Sequence, residues 1–100
     1  MPQWTFLTNH ALVLSYIAHY PRITGRGLSN AIGITERATR KIIADLLEAG
    51  YIDKKREGRQ NRYRVNPDLP LRHPSYSATA VADLLGALGW KGRRRTRKSE

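Results

Sequence analysis

The segment from Ile32 to Val65, IGITERATRKIIADLLEAGYIDKKREGRQNRYRV, constrains the fold more than any other part of the chain. Gly33 supplies a turn and Thr35 is a good helix N-cap, with Glu36 in the first turn suited to the positive end of the helix dipole. Thr39, Ile42, Ile43 and Leu46 recur at i, i+3, i+4 and i+7, the spacing of one buried helix face. Arg37, Arg40, Lys41 and Ala44 face away from that stripe. The helix is expected over residues 36–49, ending at Gly50, where a C-cap wants a left-handed residue. Beyond it the pattern changes to a strand over 51–56, a turn over 57–60 around Gly58, and a returning strand over 61–65. Tyr51 and Ile52 at one end, and Tyr63 and Val65 at the other, are placed to anchor this hairpin to the helices.

The flanking sequence adds helices. Thr8 is a plausible N-cap for a helix running to about His19, with Ala11, Leu14, Ile17 and Ala18 at helical spacing and Val13 and Tyr16 widening the apolar face. Pro21 ends it. A second, short helix is expected from Leu28 to Ile32, its start weakened by Gly25 and Gly27, and Ile34 is expected to plug the core between helices. Asn66-Pro67-Asp68-Leu69-Pro70 and then Pro74 break the pattern. A last helix is expected to begin near Ser77 or Thr79, with Val81, Leu84, Leu85 and Leu88 on one face and Gly89 at its end. The fold class that follows is mainly α with a small β-hairpin (α+β).

Charge narrows the function. Eighteen Lys and Arg against eight Asp and Glu give a formal net charge of +10, which calls for an anionic partner. Nucleic acid, an anionic membrane surface and an acidic protein all satisfy charge alone. Six of the cations (Lys91, Arg93, Arg94, Arg95, Arg97 and Lys98) follow Trp90, opposed only by Glu100, so residues 1–90 carry +5. The body is basic in its own right, and the segment 91–100, charged and lacking apolar residues, reads as a disordered basic tail. One hundred residues suit one small domain without a separate sensor domain. With no cysteine, there is no disulfide framework and no Cys-based zinc site. No signal peptide and no apolar run of membrane-spanning length is present, so the expectation is a cytoplasmic protein, associated with the nucleoid when bound to DNA.

The order helix, helix, turn, helix, hairpin is that of a winged helix-turn-helix. Here the chain resembles the short bacterial and archaeal winged-helix transcriptional regulators related to the MarR and ArsR groups. TFLTNHALVL at Thr5–Leu14 is similar to the opening of that family's first helix, and AIGITERATRKIIADLLEAGYI at Ala31–Ile52 to its recognition-helix block. REGRQNRYRVNPDLPLRHP at Arg56–Pro74 is similar to its wing and the segment after it, and VADLLGAL at Val81–Leu88 to its C-terminal helix. Two features depart from the family. Gly25 and Gly27 stand where better helix formers are usual, and Ser29 where alanine is common. The resemblance implies a winged helix-turn-helix DNA-binding domain over 1–74, an additional C-terminal helix over 75–90 as a possible dimerisation element, and the basic tail over 91–100. It also implies a sequence-specific regulator of transcription that binds double-stranded DNA, commonly as a homodimer on a two-fold-related site.

Candidate DNA contacts follow from residue chemistry. Arg37, Arg40 and Lys41 are the candidates for the major groove, since arginine can donate two bonds to guanine O6 and N7. Thr35 and Glu36 lie at the helix start, where backbone N–H groups favour a phosphate, or where a carboxylate can accept from cytosine N4. Arg59, Gln60, Asn61 and Arg62 form the expected wing tip, with Arg64 on the same strand face as Arg62, reaching phosphates or the adjacent minor groove. Lys54 and Arg56 share a face, and either can pair with Glu57 instead. The last helix can fold onto its own domain or pair with its copy, joined or not by Trp4 and Phe6; pairing is the expectation.

Other classes fit less well. A winged-helix protein-interaction or architectural module with nonspecific nucleic-acid binding remains the alternative. RNA binding would rest on Tyr63 and Tyr51 as stacking platforms beside the basic hairpin. Catalysis is not expected: His10, His19 and His73 are scattered without metal-ligand spacing, and no acid/base pair, nucleophile elbow or phosphate-binding loop is present. No cofactor or metal is expected, and His10 is expected to cap or pack near the first helix.

Overall fold

Three threonines start the three helices of the core. Thr8, Thr24 and Thr35 each hold an extended backbone conformation and accept, through Oγ1, from the amide three residues on: Ala11 N at 3.1 Å, Gly27 N at 2.9 Å and Ala38 N at 3.0 Å. Each bond satisfies one of the orphan amides of a first helical turn. In this computed structural model, which describes residues 4–91, the helices are α1 (Asn9–His19), α2 (Gly25–Ile32) and α3 (Glu36–Glu48). They are followed by β1 (Ile52–Glu57), β2 (Gln60–Val65), a single 3-10 turn (Pro74–Tyr76) and α4 (Val81–Ala87). This is an α+β winged helix-turn-helix with an added C-terminal helix.

The second helix begins at Gly25, three residues earlier than expected at Leu28. Glycine costs a helix interior about 1 kcal/mol, but a good N-cap returns a similar amount. Gly27 also permits a close approach: a Cβ there would sit 3.1 Å from Ile23 Cγ1 and 3.2 Å from Thr24 Oγ1. Its absence lets Ile23 pack against the core beside the first turn. Gly33, at φ 87°, ends α2 in the left-handed region, and both Gly33 N and Ile34 N donate to Ser29 O. Ile34 packs against the core as expected. Ser29 is buried, and its hydroxyl donates to Arg26 O at 2.9 Å, so the serine is satisfied inside its own helix.

The hairpin is one residue out of step with expectation. Tyr51 stays outside the strand because its amide closes the end of α3 on Leu46 O at 2.9 Å, while its hydroxyl donates to Pro70 O. β1 therefore runs from Ile52 to Glu57. The antiparallel register pairs Ile52 with Val65 and ends on Glu57 with Gln60, leaving a loop of Gly58 and Arg59 alone. Gly58, at φ 62°, supplies the positive φ that a two-residue hairpin turn needs at its first position. Gln60, expected in the turn, is the first residue of β2, while Asn61 and Arg62 lie in the returning strand as expected, next to the tip. Tyr63 N donates to Pro21 O at 2.8 Å, which ties β2 to the loop after α1.

One core joins these parts. Val13, Leu14 and Ile17 of α1, Leu28 of α2, and Ile42, Ile43 and Leu46 of α3 meet Tyr51, Ile52, Tyr63 and Val65. Thr39 completes the stripe of α3 at 0% exposure, its hydroxyl donating to Thr35 O at 2.9 Å. Val81 and Leu85 of α4 belong to this core, each also at 0% exposure.

That helix starts at Val81, not near Ser77 or Thr79. Backbone pairing holds the preceding residues extended: Leu71 N donates to Thr79 O at 3.0 Å, Pro70 bridges Ala80, and Val81 N donates to Leu69 O at 2.8 Å. Asp83 Oδ2 then accepts from Ala80 N at 3.3 Å across the first turn. Half of the apolar stripe expected to be open for pairing is thus enclosed inside the domain. Leu84 is partly covered and Leu88 is 38% exposed.

Candidate nucleic-acid interface

The exposed face of α3 lies opposite its buried stripe for a simple reason. Thr39, Ile42, Ile43 and Leu46 are one i, i+3, i+4, i+7 set, and Arg37, Arg40, Lys41 and Ala44 are the same set displaced by two residues. Two residues are about 200° around a helix. Packing the first set into the core therefore presents the second to solvent, and all four of its members are exposed. A 13-residue helix is roughly 20 Å long, and the major groove, about 12 Å wide, admits such a helix.

The cations on this face are not equivalent. Arg37 and Arg40 have no ion-pair partner among the described residues. Lys41 does: its Nζ lies 2.8 Å from Asp45 Oδ1, one turn along the same helix. Asp45 Oδ2 in turn lies 2.8 Å from His10 Nε2 of α1, so His10 packs across to α3. The hydrogen bond from Lys41, and then that from His10, hold the Asp45 carboxyl below its ordinary pKa of 3.8, and the same contact raises Lys41. A carboxylate with a lowered folded-state pKa contributes stability above its unfolded value and loses it as pH falls through the folded one. Replacing Asp45 with asparagine should release Lys41, tighten binding to duplex DNA and steepen the salt dependence by about one unit of log K per log salt. An unchanged slope, measured by fluorescence anisotropy across a salt series, would place Lys41 away from phosphate.

At the start of α3, Thr35 is committed to capping and Glu36 Oε2 accepts from Arg26 Nε at 3.2 Å. Arg26 stands in the first turn of α2, where a cation opposes the helix dipole, and Glu36 offsets it. The pair joins the two helices of the helix-turn-helix. Thr35 therefore offers its hydroxyl to the protein, and Glu36 is half-exposed but engaged.

The wing is braced in the same manner. Glu57 receives Arg22 at 3.1 Å and Arg62 at 3.6 Å, and not Lys54 or Arg56, the partners considered from sequence. Arg56 Nε donates instead to Gly58 O at 2.9 Å, steadying the tip. Arg62 is thus partly neutralised, whereas Arg59 and Arg64 are exposed and have no ion-pair partner among the described residues. Gln60 is exposed and Asn61 half-buried. Across the strands Lys55 lies directly opposite Arg62, a like-charge pairing that disfavours the bare hairpin and is relieved by an anion on that face. Arg22 and Arg26 were not singled out from sequence. Their partners are 35 and ten residues away, and the helix start expected at Leu28 left Arg26 outside α2, so no local signal marked either residue.

Tyr51 and Tyr63, the stacking platforms an RNA reading requires, are buried, at 8% and 7% exposure. Burial is also what raises the Tyr63 hydroxyl pKa. Among the described residues no cluster of three or more histidine or acidic side chains could hold a metal, and no helix is long and apolar enough to cross a membrane. The basic run from Arg93 to Lys98 lies outside the described residues.

Residues 8–53, from the cap of α1 to the start of β1, match the profile of a family described as winged helix-turn-helix DNA-binding. The match spans all three helices of the core, including the face bearing Arg37 and Arg40, and it supports DNA binding by this domain. No curated protein matches the chain.

Proposed function

We propose that this chain is a sequence-specific regulator of transcription of the short prokaryotic winged-helix type related to the MarR and ArsR groups, acting in the cytoplasm as a homodimer without enzymatic activity. In this reading α3 enters the major groove, with Arg37 and Arg40 donating to base edges and Lys41 to base or phosphate. Thr35 and Glu36 sit at the groove edge, where the free amides of the first turn face a phosphate. Arg59, Gln60, Asn61, Arg62 and Arg64 lie along the backbone or the adjacent minor groove.

The observation that carries the reading is the pair Arg37 and Arg40. They stand exposed and without ion-pair partners among the described residues, on the face of α3 opposite the core, while Arg22, Arg26 and Lys41 are paired to carboxylates. Selection of bound sequences from a random duplex pool at near-physiological salt tests it. A palindromic consensus supports the reading; absence of enrichment replaces it with a nonspecific architectural or protein-interaction role.

The tail adds cations but no direct readout of sequence. Removing residues 91–100 should weaken binding to specific and random DNA alike and flatten the salt slope. The slope should fall by about 0.9 for every phosphate that the tail neutralises. A slope unaltered by the truncation would exclude the tail from the complex.

A further inference from the structure

Two surface features adjoin each other, a groove floored by core side chains with a polar rim and an exposed aromatic segment. The first is a groove of about 810 Å³ between α1, α3, the segment after the wing and α4, with Leu14, Leu46, Leu71 and Leu84 along it. The second is the segment before α1. Trp4 is 71% and Phe6 93% exposed, and their rings meet edge to face at 5.3 Å. The Thr5 hydroxyl donates to Leu7 O and turns this segment just before Thr8, which itself lines the groove. The two rings therefore start at the mouth of a groove that they do not occupy.

We propose that the groove receives Trp4 and Phe6 of a second copy of this chain, the two copies exchanging these segments about a two-fold axis. The inference rests on the homodimer of the functional reading and assigns its interface. Area supports it. A large aromatic side chain buries roughly 150–250 Å². Four rings and the groove lining they cover come to roughly 900–1,300 Å², which reaches the lower end of the span of a stable protein interface.

Charge supports it too. Glu48 and Arg72 both line the groove, and neither has an ion-pair partner among the described residues. A two-fold axis makes such a rim self-complementary, Glu48 of each copy facing Arg72 of the other. The exchange also uses the part of α4 that remains available. Leu85 is enclosed in its own core, whereas Leu84 and the buried Val81 line the groove.

Sedimentation equilibrium of the full chain without DNA tests this directly. The wild-type protein should be dimeric in the micromolar range. The variant Trp4→Ser/Phe6→Ser should dimerise about 100-fold more weakly or worse, since both rings act as buried anchors only in the dimer. Its helical circular dichroism should be unchanged, because both residues precede α1 and are exposed in one copy. Glu48→Arg and Arg72→Glu should each weaken the dimer, and their combination should restore it. A wild-type chain that stays monomeric overturns the exchange together with the homodimer. A dimer of undiminished strength in the Trp4→Ser/Phe6→Ser variant overturns the exchange alone.

Discussion

Alanine at Arg40 will lower affinity for a selected cognate duplex by roughly 1–3 kcal/mol, about 5- to 150-fold, while affinity for random DNA falls far less. The argument starts from position. Arg40 lies five residues into α3, on the face opposite Thr39, Ile42, Ile43 and Leu46, and with Arg37 it forms no ion pair among the described residues. An arginine engaged by a surface carboxylate would already have partners for its fork of donors; this one keeps them for two acceptors on a guanine edge. The loss should therefore fall on the base it reads, and the selected consensus should relax at one position in each half-site. Titrations of cognate and random duplexes at one salt concentration separate the outcomes. Equal losses on both would make Arg40 a phosphate contact and shift the reading role to Arg37. Arg62 provides an internal contrast: because Glu57 already holds it, its replacement by alanine should cost less and affect all sequences alike.

The second large effect is on stability. Leu85→Ala will destabilise the fold by about 2–5 kcal/mol, the usual range for removing a fully buried leucine. A domain of this size has only about 5–15 kcal/mol in total, so the melting temperature should fall by on the order of 10 °C or more. Leu85 is at 0% exposure and shares its core with helices α1 and α3 and the hairpin. Backbone bonds from Val81 to Leu69 and from Leu71 to Thr79 hold α4 in place from its first residue. Thermal unfolding followed by circular dichroism gives the answer. Leu88→Ala, at 38% exposure, is the control and should change little. A loss at Leu85 no larger than at Leu88 would mean that α4 rests on the domain without belonging to it.

Periodicity made most of the core legible. The stripe of α3, the apolar face of α1 and the four anchors of the hairpin are all covered where spacing placed them, because a helix and a strand each repeat their faces with a fixed period. Caps were legible for a similar reason. Thr8 and Thr35 act on amides three residues away, within the reach of local sequence. Errors gathered where a distant partner decides. The start of α2 at Gly25 depends on Ile23 packing beside a glycine, and the start of α4 at Val81 depends on pairing with residues 69–71. The candidate interface divides in the same way. Which cations share a face of α3 could be read from the chain, but which of them stay unpaired could not. Glu57 holding both Arg22 and Arg62 is a contact across 35 residues in one case and five in the other.

By itself, then, the sequence determined the order of elements, the buried and exposed faces of α3 and the basic character of the hairpin, because each follows from spacing along a regular backbone. The tertiary structure alone decided how those charges are used. It paired Arg22 and Arg62 with Glu57 and Arg26 with Glu36, left Arg37 and Arg40 without partners among the described residues, and enclosed half of the α4 stripe. The Lys41–Asp45 pair, by contrast, is one turn apart on α3 and follows from helical spacing. Ion pairing and burial depend on which side chains arrive at the same place, and separation along a chain of this kind carries almost no information about that.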